Sequence, residues 1–93
     1  MAVVSFGNIG TDLHYKSGIE SGPSFSGTPK IKAVVFATPF ETSNYSITLE
    51  GDQDSRAWTY ESKTASGFTI NSNAGAALSG EVSWHAILVG ETL

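Results

Sequence analysis

The chain has 93 residues, which allows one domain and excludes a multidomain enzyme. It contains no cysteine, so no disulfide or thiolate metal site supports a core that buries only about 60–65% of the unfolded surface. Charged residues make up 15% of the chain against roughly 25% in ordinary soluble domains, and thirteen Ser, nine Thr and ten Gly fill the deficit. This composition favours a surface in contact with other protein over a freely soluble monomer.

The net charge of −4 argues against nucleic-acid binding, because five basic residues form no dense patch able to neutralise a phosphate backbone. The longest apolar runs, residues 33–37 and 86–89, are far shorter than the ~20 residues that cross a bilayer. The first six residues lack the basic and apolar regions of a signal peptide. The chain is therefore predicted to bind neither nucleic acid nor membrane.

The front of the chain, residues 1–29, is predicted to contain a short strand at residues 2–6 followed by a Gly-, Ser- and Pro-rich arm. Residues 7–29 hold five of the ten glycines and two of the three prolines, a composition not expected to sustain a helix or a long strand. The apolar side chains of this segment still need burial. An extended arm against its own sandwich or a neighbouring subunit would provide it, and a partly ordered loop is the alternative.

From residue 30 onward a two-residue period dominates. Residues 44–50 alternate without a fault, so Tyr45, Ile47 and Leu49 share one face of a half-buried strand. Residues 31–36 begin with the same alternation and become continuously apolar, as in a strand covered on both faces. These two runs predict the first two strands of the sandwich core.

Three further strands follow, at residues 56–62, 67–71 and 81–89, with turn residues such as Ala65-Ser66-Gly67 between them. The last run places Val82, Trp84, Ala86 and Leu88 on one face and Ser83, His85, Ile87 and Val89 on the other. No window has helical periodicity. The sequence therefore predicts an all-β single domain, an antiparallel β-sandwich of about six strands, with its core in residues 30–93 and an extended N-terminal arm.

Catalytic candidates are few, since there is no cysteine and the only histidines are His14 and His85. No nucleophile elbow, phosphate-cradling loop or metal-ligand motif is present, so neither an enzyme nor a cofactor is expected. The turn at residues 51–55 begins like a calcium loop with Asp52 and Asp54, but Arg56 occupies the next ligand position. A solvated hairpin tip without a metal is the favoured interpretation.

Two of the predicted strands carry apolar residues on both faces, and this pattern indicates an interface more strongly than any residue indicates catalysis. A sandwich has one interior, so side chains on its outer faces need another cover. The residues predicted to form an oligomer interface are Val34, Phe36, His85, Ile87 and Val89. His85 is otherwise a surface imidazole. A closed homo-oligomer would stabilise a chain with so small a core.

Four segments in residues 34–90 carry a resemblance to a known family: residues 35–40, 45–49, 64–68 and 82–84. Together they resemble the H-type lectin family, which implies a six-stranded antiparallel sandwich that assembles as a trimer. Residues 66–71 followed by 82–87 are also similar to small structural proteins and fibre-tip domains of tailed bacteriophages.

The lectin resemblance implies a sugar contact at Arg56, which falls within about one residue of the family's sugar-binding arginine. The loop of residues 71–79 lacks the aromatic and histidine that complete the lectin site, and Trp84 corresponds to the family's core tryptophan. Since function depends on the site, the fold is expected to transfer better than sugar binding.

The prediction that follows is a non-enzymatic virion structural protein of a tailed bacteriophage, assembled in the host cytoplasm. It would be a homotrimer that decorates or cements the capsid, or a tail or fibre component, with itself and other virion proteins as partners. The alternative is an H-type lectin-like protein that acts in host attachment and binds a host glycan through Arg56 with Asp52 or Asp54.

Overall fold

The computed structural model describes residues 14–52 and 57–89. These residues form six strands: β1 (Tyr15–Ser21), β2 (Ile31–Val35), β3 (Tyr45–Gly51), β4 (Thr59–Thr64), β5 (Gly67–Asn71) and β6 (Glu81–Leu88). One turn of 3-10 helix, Gly22–Ser24, follows β1, and the described ranges contain no α-helix. Within these residues no helix has the length and apolar character needed to cross a membrane.

The strands form two three-stranded sheets, in the orders β1–β6–β3 and β2–β5–β4, and every pairing is antiparallel. Strands β4 and β5 form a hairpin closed by the predicted turn at Ala65 and Ser66. Each other connection passes from one sheet to the other. The all-β prediction is confirmed at this level, as two antiparallel sheets.

The core lies between the sheets, because both contribute side chains to it. The Phe68 ring of β5 packs edge-on against the Trp84 indole of β6, with ring centroids 5.5 Å apart. The cluster of buried apolar residues is Phe25, Val34, Phe36, Phe40, Tyr45, Phe68, Ile70, Ala74, Leu78, Val82, Trp84 and Ala86. Seven of these residues lie in strands, and they come from both sheets. The inward-facing side chains of the two sheets therefore pack together into one core.

The predicted faces of three strands are confirmed. Tyr45 is fully buried, and Ile47 and Leu49 pack against the core from the same side of β3. In β5 both Phe68 and Ile70 are buried. In β6 the predicted inner positions Val82, Trp84 and Ala86 are buried, whereas Ile87 and Val89 are exposed.

The expectation that residues 7–29 contain no long strand is wrong for Tyr15–Ser21, which form the seven-residue strand β1 along β6. Backbone hydrogen bonds to β6 hold this strand and need no apolar side chains. Gly18 allows β1 to pack closely against the Trp84 side chain of β6, because a Cβ at this position would lie only 2.8 Å from the indole. The predicted strand at residues 2–6 lies outside the described residues.

The prediction that Val34 and Phe36 face a partner chain is also wrong. Both are buried in the core, and Val35 between them is 80% exposed. The continuous apolar run does not mean cover on both faces, because a pleated strand still alternates its side chains. The exposed apolar residues of β2 are Ile31 and Val35.

Candidate functional site

The register of the β1–β6–β3 sheet decides which side chains share its outer surface. His85 in the central strand lies opposite Ser17 of β1 on one side and Thr48 of β3 on the other. The same alternation places a set of residues together, which we call the outer face: Tyr15, Ser17, Ile19, Ser46, Thr48, Glu50, Glu81, Ser83, His85, Ile87 and Val89, with Asp52 at its rim.

One feature of the outer face is its exposed apolar side chains. Ile19 is 63% exposed, Val89 50%, Ile87 46% and Tyr15 40%. Tyr15 and Ile87 are directly paired across β1 and β6. Large apolar side chains grouped on one sheet face, rather than scattered singly, are typical of a surface that contacts another protein.

His85 lies on this face, opposite Trp84, as the sequence period predicts. Its Nδ1 is 2.7 Å from the Tyr15 hydroxyl, and the two rings are 5.9 Å apart. The neighbouring positions, Ser17 and Thr48, carry hydroxyls. This pair of rings, tilted by 32° to each other, joins β1 to β6 at the surface next to Ile87.

The end of the outer face that contains Glu81 is acidic and concave. An open depression of about 390 Å³ is lined by Ile19, Glu50, Gly51, Asp52, Glu81 and Ser83. Asp52 is tied to the start of β6, because its Oδ1 accepts a hydrogen bond of 3.0 Å from the Glu81 backbone N–H. The described lining residues include three carboxylates and no cation, so the depression suits a positively charged group.

The sugar-binding set predicted from the lectin resemblance is only partly described. Asp52 lies at the rim of the acidic depression, whereas Asp54 and Arg56 lie outside the described residues. Among the residues that the structure describes, no three His, Asp or Glu side chains are arranged to hold a metal ion.

A second groove, of about 290 Å³, opens between the β3 and β4 edges. It is lined by Ile47, Leu49, Trp58, Thr59 and Tyr60. Within the described residues the Trp58 Nε1–H is buried without a hydrogen-bond partner. Sequence periodicity predicts one face for Trp58 and Tyr60 of a strand at residues 56–62; both line this groove, but Trp58 lies before β4 begins. The pattern does not reveal that they lie at an open end between the sheets.

Tyr45 links the two sheets at the side of the molecule where Lys63 lies. Its hydroxyl is 2.8 Å from the Thr64 carbonyl oxygen and 2.9 Å from that of Gly67, both in the β4–β5 hairpin. Burial, reinforced by the nearby charge of Tyr60 when it ionises, raises the pKa of Tyr45 to about 12. The phenol therefore stays protonated at neutral pH and acts as a structural donor.

Sequence reasoning missed the part of the outer face that β1 provides, namely Tyr15 and Ile19. Their signal was the alternation of residues 15–19, in which Tyr15, Ser17 and Ile19 share a face, but the surrounding glycines and prolines obscured it.

Comparison of the chain with protein-family models, curated proteins and solved structures returned no match.

Proposed function

We propose that this chain is a non-enzymatic structural subunit of a tailed-bacteriophage virion, a homotrimer that decorates or cements the capsid or forms part of the tail or fibre. The observation that carries the association is the outer face, where Tyr15, Ile19, Ile87 and Val89 are all at least 40% exposed. The phage assignment is supported by the likeness of residues 66–71 and 82–87 to virion proteins.

The energetics of a small chain support association in the same way. Burying each of these side chains against a partner would stabilise an assembly by roughly 1–2 kcal/mol, after allowance for what is already buried. The core between two three-stranded sheets is small, and no disulfide supplements it. Self-association would therefore add stability that a single chain of this size lacks.

The first test is the oligomeric state. Sedimentation equilibrium of the full chain is expected to give a trimer at micromolar concentration, and Ile87→Asp is expected to give a folded monomer. Ser62→Asp adds the same charge at an exposed position of β4 and should leave the trimer intact. A wild-type chain that is a folded monomer at all concentrations would contradict the proposal.

The second test is the partner. Purified capsids and tails that lack the protein should bind it saturably in co-sedimentation, and the fraction that binds, capsid or tail, decides its location. Binding to neither would contradict a virion role even if the chain is trimeric.

A lectin-like role in host attachment is the second candidate function. The observation that favours it is the position of Asp52 beside an open depression, four residues before Arg56. Glycan-array binding that both Arg56→Ala and Asp52→Asn abolish would support this role. A flat array from a chain that binds capsids would exclude it.

A further inference from the structure

We infer that copies of this chain associate head to tail, with the outer face of one subunit against the β2 edge of the next. The β2 edge comprises Lys30, Ile31, Lys32 and Val35. The inference rests on the proposed homo-oligomer and specifies its interface: two different surfaces meet, rather than two copies of the same surface.

The charge of the outer face disfavours a symmetric pairing. Its carboxylates are Glu50, Glu81 and, at the rim, Asp52, and among the described residues of this face there is no lysine or arginine. A two-fold interface made from this face alone would bring like charges from both copies together, which opposes association. A partner with apolar and basic side chains fits better.

The described lysines all lie away from this face. Lys63 donates a hydrogen bond of 2.7 Å to the Tyr45 carbonyl oxygen, and Lys16 lies 4.9 Å from the centre of the Phe40 ring. These two ammonium groups are occupied within the subunit. Lys30 and Lys32, on either side of Ile31, are half-buried at β2, an edge strand of the other sheet.

The β2 edge carries exposed apolar side chains on one side of the strand and the two lysines on the other, because side chains alternate along it. Val35 is 80% exposed, the most exposed large apolar side chain in the described residues, and Ile31 is 37% exposed. The backbone at Lys30 is fixed, because its N–H donates to the Ala74 carbonyl and its own carbonyl accepts from Ser72. A partner that meets this strand edge-on therefore contacts an apolar side and a basic side, on a backbone that is held in place.

The outer face and the β2 edge complement each other in apolar character and in charge. Apolar residues would meet apolar residues, and the carboxylates around Glu81 would meet the ammonium groups of Lys30 and Lys32. Because each subunit carries one surface of each kind, the contact is heterologous, and such contacts close into rings when the rotation between neighbours allows it. A three-membered ring is the smallest symmetric case.

Charge reversal tests the pairing of the surfaces. Glu81→Lys and Lys32→Glu should each raise the dissociation constant of the assembly by about tenfold or more at low salt, because each places like charges across the interface. The double variant Glu81→Lys with Lys32→Glu should recover most of the loss. Equal weakening in the single and double variants would overturn the inference. The control is Ser62→Lys, at an exposed position of β4 on the opposite edge of the same sheet, and it should leave the assembly intact.

Mixing two apolar variants tests the geometry. Ile87→Asp damages the outer face and Val35→Asp damages the β2 edge, so each variant should be monomeric alone, with the circular dichroism spectrum of the wild type. Mixed in equal amounts, they should form a heterodimer, because the intact edge of the first meets the intact outer face of the second.

The outcomes separate this inference from the proposed function. If Val35→Asp remains trimeric while Ile87→Asp does not, the homotrimer stands and the assignment of the β2 edge as the partner surface is wrong. If the wild-type chain is itself monomeric at all concentrations, both are overturned.

Discussion

Gly67 decides how closely β2 and β5 lie within their sheet. Gly67 opens β5 where that strand meets β2, and a Cβ added at this position would overlap the Val34 carbonyl oxygen. The obstacle is backbone, which cannot rotate away as a side chain can. Gly75, in the connection before β6, has open space where its Cβ would be.

Gly67→Ala is therefore expected to destabilise the fold by about 3 kcal/mol, because β2 and β5 must separate to admit one methyl group. Urea denaturation followed by tryptophan fluorescence would measure the change. Gly75→Ala is the matched control and should shift the free energy of unfolding by less than about 0.5 kcal/mol. Equal stability of the two variants would contradict the packing described for the β2–β5 pair.

The buried phenol of Tyr45 gives a prediction in pH. Its pKa of about 12 in the folded chain exceeds the ordinary value near 10, so both states hold the proton below pH 10. Between pH 10 and 12 only the unfolded chain loses it, and the free energy of unfolding should fall by roughly 3 kcal/mol over this window. Absorbance at 295 nm should show one tyrosine that titrates late. Tyr45→Phe should lack this fall, and an identical pH dependence in both proteins would refute the assignment.

At the scale of elements, β1 differs from the other strands in how it is held. The core-facing positions of β1 are Lys16, Gly18 and Glu20, and none of them carries a large apolar side chain. Glu20 Oε2 accepts a hydrogen bond of 3.2 Å from Trp84 Nε1, and the Lys16 ammonium lies over aromatic rings. The strand adds little apolar burial, so its attachment depends on the ladder to β6 and on these polar contacts.

Hydrogen exchange should reveal this weak attachment. The amides of β1 are expected to exchange through openings that cost less free energy than those of the central strands β5 and β6, since an edge strand without apolar anchors can separate locally. The measurement belongs in the Val35→Asp background, where a partner cannot protect β1 and the pairing of Tyr15 with Ile87 is intact. Protection of β1 equal to that of β6 would show that the polar contacts hold it as firmly as a packed core.

At the scale of the whole molecule, two separate surfaces expose apolar side chains. One is the outer face, around Ile87, and the other is the β2 edge, around Val35. A single chain cannot cover either with the residues that the structure describes. Association would remove both from water at once and would couple the stability of the fold to the concentration of the protein.

The thermal midpoint should consequently rise with protein concentration, by several degrees between about 1 and 100 μM for a domain of this size. Differential scanning calorimetry at three concentrations would measure it. Ile87→Asp should unfold at a midpoint independent of concentration. A wild-type midpoint that does not move with concentration would argue that folding and association are uncoupled.

The period-two pattern predicted most of the fold because burial on one face of a strand leaves a direct record in the sequence. The inner and outer positions of β6, from Val82 to Val89, followed from alternation alone. The pattern failed at residues 33–36, where every side chain is apolar and alternation cannot tell which ones face inward. It failed again at β1, where the inward side chains are polar or absent and carry no hydrophobic signal.

The residues of the candidate site were likewise predicted together only where they belong to one strand. Sequence placed His85, Ile87 and Val89 on one face, since they belong to one strand and are related by the pleat. It could not bring Tyr15 beside Ile87, or Ile19 beside Ser83, because those neighbours come from the pairing of β1 with β6, more than sixty residues apart.

The sequence by itself determined the class of structure, the absence of cysteine and the low charge, since these are local or compositional properties. Only the tertiary structure decided which strand lies beside which, and therefore that the outer face is acidic and the β2 edge basic. Strand pairing depends on backbone hydrogen bonds that every residue but proline can make, so the order of strands leaves little trace in residue identity. For this chain, the surface that a partner would meet is a product of that order.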